Sequence, residues 1–347
     1  MLRCFILNDT RAEKHHGCET VMRHLLRALA ERHVEVLGTL AIGRELDDIQ
    51  RVECNQADLI IINGEGTLHH GAPYARYLLD CGVAAKQRGQ RVWLINSTWQ
   101  DNPLEMLSQI AQFDGVWLRD QASVTDVRAM VAHAQYAPDL TFAYAHPIDA
   151  VQCPSSDTLL LTDSVYSELS DQLAAYAKAQ QMQYAPIIRP LPIDTHAIGY
   201  DEKKLKKHRL YQWLTYLSFG LYQPRRYYQD LTRAVDQSEH YWSQLQAASA
   251  VIAARYHALC FALQLGRPVL ALDSNTHKVK RLLGDIGLDP QQRIISLTTL
   301  LHTTPADLIV RAQWTEQEQQ LIKQFNQQAM QRIAYYFDLM CVQENSQ

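Results

Sequence analysis

The chain has 347 residues, 47% of them hydrophobic and 20% charged, with a formal net charge of -4. That is ordinary globular composition at a length that suits two domains, and the acidic balance argues against a general nucleic-acid binder. No apolar run reaches membrane-spanning length, "MLRCFILND" lacks the features of an export signal, and seven cysteines without a C-x-x-C pair argue against a disulfide framework or zinc ribbon. The expectation is a cytoplasmic protein with reduced thiols.

In chain order, residues 2–7 form a short apolar run, and 18–31 carry Val21, Leu25, Leu26 and Leu29 at helical spacing. Residues 34–40 and 58–62 read as strands, 74–86 as a helix, 91–95 as a strand, 103–112 as a helix and 115–118 as a strand. This alternation predicts a parallel sheet with helices on both faces. It breaks at 143–157, "AYAHPIDAVQCPSSD", which reads as a linker rich in Pro and Ser. It resumes with strands at 158–162 and 183–188 around a helix near 169–178. A strand at 250–253, a helix at 255–265, a strand at 268–272 and a helix at 278–283 follow. The expected fold is α/β, with two doubly wound Rossmann-like domains facing across a cleft. They span 1–145 and 155–312, and a C-terminal helix within 313–347 packs back across them. In such sheets ligands bind at the carboxyl ends of strands.

Four of those ends carry unusual side chains. The strand at 58–62 runs into "NGEGTLHHG" (63–71). Gly64 and Gly66 allow positive φ and bring amides near a ligand, with Asn63, Glu65, Thr67 and His70 in the same loop; a tight strand-to-helix turn is the plainer reading. The adjacent His69 and His70 do not converge as metal ligands do, so no metal is expected. The first strand ends in "NDTRAEKHHGC" (8–18). Asn8 and Asp9 serve there either as turn and capping groups or as an acceptor-binding loop at the switch point. The strand at 115–118 ends in "RDQASV" (119–124). There Asp120 caps the next helix and Arg119 pairs with it, or Arg119 meets an anionic ligand.

The fourth end is "ARYHALCFALQLGRPVLALDSNTHK" (254–278). Arg255 closes a strand and His257 sits in the first turn of a helix, whose free amides favour anions. Arg offers a fork for carboxylate or phosphate, and His moves protons near neutral pH. The loop holding Ser274, Asn275 and Lys278 adds polar groups and a cation. A capping His beside a salt-bridged Arg is the alternative.

With "NGEGTL", "LRDQAS", "APDLTF" and "RYHALCFALQLGRPVLAL…K" on 2–290, the sequence resembles the polysaccharide pyruvyl transferase family. The resemblance implies two domains of the GT-B kind. It implies transfer of the enolpyruvyl group of phosphoenolpyruvate to two hydroxyls of a sugar, as a ketal, in the biosynthesis of bacterial cell-surface glycans. The acceptor would be a glycan or its lipid-linked precursor, and no cofactor is needed beyond the donor substrate. By position, Arg255 and His257 bind phosphoenolpyruvate and act on it, and Arg119 matches a second cationic position. A GT-B glycosyltransferase using a nucleotide sugar, including a CMP-linked one, is the alternative, and a binding module of an assembly complex is a third.

One stretch stands apart from this chemistry. Residues 203–229, "KKLKKHRLYQWLTYLSFGLYQPRRYYQ", place Leu210, Trp213, Leu214, Leu217 and Leu221 on one helical face between basic clusters. That pattern fits an interfacial helix at the inner face of a membrane, or an amphipathic helix packed on its own domain.

Overall fold

The computed structural model describes residues 1–144, 157–272 and 277–342. Ser274, Asn275 and nearly all of the expected linker lie outside these residues. The chain divides into two compact units. The first is Met1–Ala12, Thr20–Tyr144 and Gln327–Gln347; the second is Glu13–Glu19 and Ala145–Asn326. Glu13–Glu19, expected within the first domain, thus belongs to the second unit.

The first unit is built on a parallel sheet of β1 (Arg3–Asp9), β2 (Glu35–Ala41), β3 (Leu59–Asn63), β4 (Arg91–Ser97), β5 (Gly115–Leu118) and β6 (Gln135–Tyr136). Its order is β2-β1-β3-β4-β5-β6. β3 reads LIIIN and is buried throughout, as a central strand covered on both faces must be. Asp47 starts the helix Asp48–Gln56 with a reciprocal capping box to Gln50. Pro73 occupies the first turn of the helix Pro73–Gln87, where its missing N–H costs nothing. The helices press Leu78, Leu79, Met106 and Ile110 onto Ile60, Ile62, Val92 and Leu94 of the sheet. β1 lies between β2 and β3, so the order reverses there and a polar crevice is expected beyond the carboxyl ends of β1 and β3.

The second unit repeats the plan. β7 (Leu159–Thr162), β8 (Gln183–Ala185), β9 (Ala250–Ala253), β10 (Val269–Leu272) and β11 (Ile294–Ile295) are parallel, in the order β11-β10-β9-β7-β8. β7 pairs with β9 through Leu159–Ala250 and Leu161–Ile252, and the reversal falls between these two strands. Both sheets therefore share one winding, and the expected pair of doubly wound α/β domains is what the chain forms. The strand expected over 183–188 stops at Ala185, because Pro186 has no N–H for a ladder. Past it, the backbone at Ile187–Arg189 pairs with the first loop. His16 N–H donates to Ile187 O at 3.0 Å, and Arg189 N–H to Lys14 O at 2.7 Å.

The basic, aromatic stretch is not one helix. It forms Glu202–Leu217 and Arg226–Arg233, separated at Phe219 and Gly220, which have φ of 49° and 82°. Leu221 consequently lies beyond the helix that was expected to carry it.

Candidate functional site

At the β1/β3 crevice of the first unit, the polar groups mostly bind one another. Asn8 is fully buried with a left-handed φ of 72°. Its Nδ2 donates to Asn63 O at 2.6 Å and lies within 3.4 Å of Thr67 Oγ1. Thr10 Oγ1 donates to Glu65 Oε2 at 2.5 Å, and Asn63 Oδ1 accepts from Glu65 N–H at 3.3 Å. Asp9 grips Arg11 and accepts from Thr39 Oγ1 at 3.0 Å. A Cβ on Gly64 would overlap Ser97, so the loop runs flush against β4. The structure thus gathers Asn8, Asp9, Asn63, Gly64, Glu65 and Thr67 around one strand reversal, with Gly66 at φ 69° completing the turn.

His70 lies off this network. It is half exposed, with Nε2 3.3 Å from Asp101, and its Nδ1 is 3.0 Å from that of His69. Arg119 is buried: its Nε donates to Thr98 Oγ1 at 2.8 Å and its Nη1 to Asp139 at 3.0 Å. Asp139 in turn caps the short turn Leu140–Ala143. Asp120 does cap the helix Gln121–Val127, accepting from Ser123 N–H at 2.7 Å. Arg119 is thus held by Thr98 and Asp139 of the first unit, whereas Arg255 and His257 belong to the second unit.

In the second unit the β7/β9 reversal carries charge. Arg255 lies two residues past β9, immediately before the helix Tyr256–Gln264. Its Nε donates to Asp163 Oδ2 at 2.8 Å and its Nη2 to Ser164 O at 2.9 Å. Asp163 follows β7, is almost wholly buried, and accepts Ile187 N–H on its other oxygen at 2.7 Å. The guanidinium is fixed along one edge, and 19% of the side chain stays exposed. His257 lies in the first turn of that helix and is buried. Lys278 opens the helix Lys278–Ile286, with Nζ 5.6 Å from the centre of the Tyr256 ring.

The first loop of the chain supplies the rest. His15 meets His257 edge to face at 5.3 Å between ring centres. Gly17 packs so closely on His257 that any Cβ there would overlap the imidazole. His15 Nδ1 accepts Gly17 N–H at 2.9 Å, which leaves the proton of the neutral ring on Nε2. Burial, and then the charge of Arg255, hold His15 well below the ordinary imidazole value; His257, His16 and Lys278 push the same way. His16 stacks on Tyr241 at 4.9 Å and contacts Ser238 Oγ at 3.0 Å. Arg189 binds Glu19 at 2.6 Å, in the first turn of the helix His16–Ala30.

His15, Cys18 and His257 bring one ligand atom each within 4.8 Å of one another, a donor set that zinc accepts. Yet Arg255 and Lys278 act on the same spot with positive charge, and Gly17 engages His15 Nδ1.

Sequence reasoning singled out Arg255, His257 and Lys278 and did not single out Asp163 and His15, which the structure sets beside Arg255 and His257. Asp163 was visible as the polar end of "LLLTDS", and His15 as part of "HHGC". Neither motif says that a loop from the start of the chain packs beside residue 257.

Comparison with known proteins gives a consistent result. No curated protein matches the chain by sequence. Its fold is similar to that of a Listeria monocytogenes protein assigned as a UDP-N-acetylglucosamine 2-epimerase (10% identity, 97% of each chain covered, TM-score 0.50). It is also similar to a UDP-GlcNAc 2-epimerase of Methanocaldococcus jannaschii (10% identity, 90% of this chain and 91% of that one, TM-score 0.47). A third is AviGT4, a glycosyltransferase of avilamycin A biosynthesis (12% identity, 98% of each chain, TM-score 0.49). At such identities the Listeria likeness speaks for the GT-B-like fold alone. A family model for polysaccharide pyruvyl transferase matches residues 8–276, which takes in both strand reversals and the Arg255–His257 pair. The chain is a transferase and belongs to the polysaccharide pyruvyl transferase family.

Proposed function

We propose that the protein transfers a pyruvyl group from phosphoenolpyruvate to a sugar of a cell-surface glycan or of its lipid-linked precursor, on the cytoplasmic side. The observation that carries this reading is the pairing of a fixed Arg255 with His257 at the first turn of a helix, under a field raised by Lys278. Phosphoenolpyruvate has two anionic groups, and this is the cationic reversal of the two.

In this reading Arg255 and Lys278 hold the carboxylate and phosphate. His257 delivers a proton to C3 of the enol, which leaves C2 electrophilic. A sugar hydroxyl adds to C2, and its proton passes to a base. The C2–O bond to phosphate breaks, and a second hydroxyl of the same sugar closes the ketal, its proton passing to the released phosphate. Asp163 keeps the Arg255 fork in plane, as a buried carboxylate shared with a backbone N–H can. The β1/β3 crevice offers the amides and hydroxyls of Asn8, Asn63 and Thr67 beside the Glu65 and Asp9 carboxylates, a set that suits sugar hydroxyls rather than anions, and we assign the acceptor to it.

Ligand-induced stabilisation tests the donor, since a ligand that binds only the folded chain raises its melting temperature. Phosphoenolpyruvate should raise it in wild type and fail to do so in Arg255→Ala. Stabilisation by a nucleotide sugar, CMP-linked forms included, with no response to phosphoenolpyruvate would replace this donor with another.

A further inference from the structure

The helix Glu202–Leu217 buries none of its 16 residues. One face leans on its own unit: Leu205 and Tyr211 pack against Ile188, Leu191, Tyr228 and Leu231, and His208 stacks on Tyr228. Helical spacing sets Lys203, Lys206, Leu210, Trp213 and Leu217 along another stripe. This stripe is basic at the helix start and apolar at its end. Trp213 is 57% exposed and Tyr216 80%. Beyond the helix the chain reverses through Phe219 and Gly220, both with left-handed φ, and leaves Phe219 97% and Leu221 89% exposed. Large apolar groups this bare, close together, signal a contact surface.

Charge identifies what they contact. Lys203, Lys204, Lys206, Lys207 and Arg209 crowd the helix against Asp201 and Glu202, in a chain whose net charge is -4. Lys204 and Lys206 reach those two acids at 3.7 and 2.6 Å, in exposed pairs that water and salt weaken. A shaped protein pocket would match an ordered, partly buried face. Here the apolar side chains stand at a chain reversal, free to enter a fluid layer, while long basic side chains can reach back to headgroups. Among the described residues no helix is long and apolar enough to cross a membrane, so the contact is peripheral.

We propose that this arm docks on the surface of an anionic lipid bilayer, with Trp213, Phe219 and Leu221 in the interfacial layer and the lysines over the headgroups. The proposal is independent of the donor and acceptor assigned above, because none of these residues belongs to either strand reversal.

Sedimentation with vesicles tests it on the full chain. With equal parts phosphatidylglycerol and phosphatidylcholine at low salt, the protein should pellet; with phosphatidylcholine alone it should stay in solution, and added salt should release it. Phe219→Glu with Leu221→Glu should abolish pelleting at an unchanged melting temperature, since both side chains are already in water. Replacing Lys203, Lys204, Lys206 and Lys207 by Gln should weaken binding about fivefold per residue. The proposal is overturned by equal binding to neutral vesicles, by no pelleting, or by pelleting that both variants retain. It is equally overturned if the protein self-associates without lipid and the double Glu variant removes that association, which would make the occupant a second copy of the chain.

Discussion

The two strand reversals share one winding and differ in the side chains at their strand ends. At β1/β3 the carboxylates dominate the charge: Asn8, Asn63 and Thr67 bond together, Glu65 accepts from Thr10, and Asp9 holds its own Arg11. At β7/β9 an arginine faces a helix N-terminus beside two imidazoles and a lysine. Topology places a crevice, and the residues at strand ends decide whether it takes hydroxyls or anions. Under the proposed function the difference puts the anionic donor at the second reversal and the sugar at the first.

The largest effect that sharpens this contrast is at His257. His257→Ala should lower turnover about 10²–10⁴-fold, measured as phosphate released from phosphoenolpyruvate, while circular dichroism stays native. Near-normal turnover in a folded variant would break the assignment. Arg255→Lys keeps the charge and loses the planar fork, so donor affinity in a binding isotherm should fall roughly tenfold to a hundredfold, the scale of a lost charge-assisted hydrogen bond. An unchanged affinity there, with a loss in Asn8→Ala, would reverse the roles of the two crevices.

Glycines give a finer test. Gly17→Ala must displace the His257 ring, and Gly64→Ala must displace Ser97. Each should destabilise by about 1–3 kcal/mol, as overpacking does. Only Gly17→Ala should also diminish the melting shift produced by phosphoenolpyruvate.

The smallest effect concerns pH. His15 titrates well below the ordinary value of 6.5 in the folded chain, chiefly through burial. The unfolded chain therefore binds its proton first, and folded stability is complete above 6.5 and is lost as pH falls through and below it. His15→Asn, which keeps an acceptor for Gly17 N–H, should flatten that limb in melting curves. A limb as steep as in wild type would place the acid sensitivity elsewhere.

Much of this was legible in the sequence, for identifiable reasons. Buried parallel strands write themselves as apolar runs, so "LIIIN" and "AVIA" were plain, and the Arg-x-His pair stood out at a strand end. β6 and β11 are two residues each, too short to leave a period. Arg119 was ambiguous because its partner Asp139 lies twenty residues on, beyond the reach of any local pattern. The exposed arm also resisted reading: its spacing is helical, and only the folded chain shows that Trp213 and Leu217 face away from the core.

The segment Glu13–Glu19 has a practical consequence for anyone who would take the molecule apart. A fragment starting after Tyr144 would contain Arg255 and His257 but not the backbone that pairs with Ile187 and Arg189, nor the glycine against which the imidazole rests. A fragment ending at Tyr144 would carry that loop with nothing to bind, and would lack Gln327–Gln347, which its unit draws from the far end of the chain. Genetic dissection at the apparent midpoint should yield two insoluble halves. Co-expression of the same halves should restore a soluble protein, because each carries a piece that the other's fold requires.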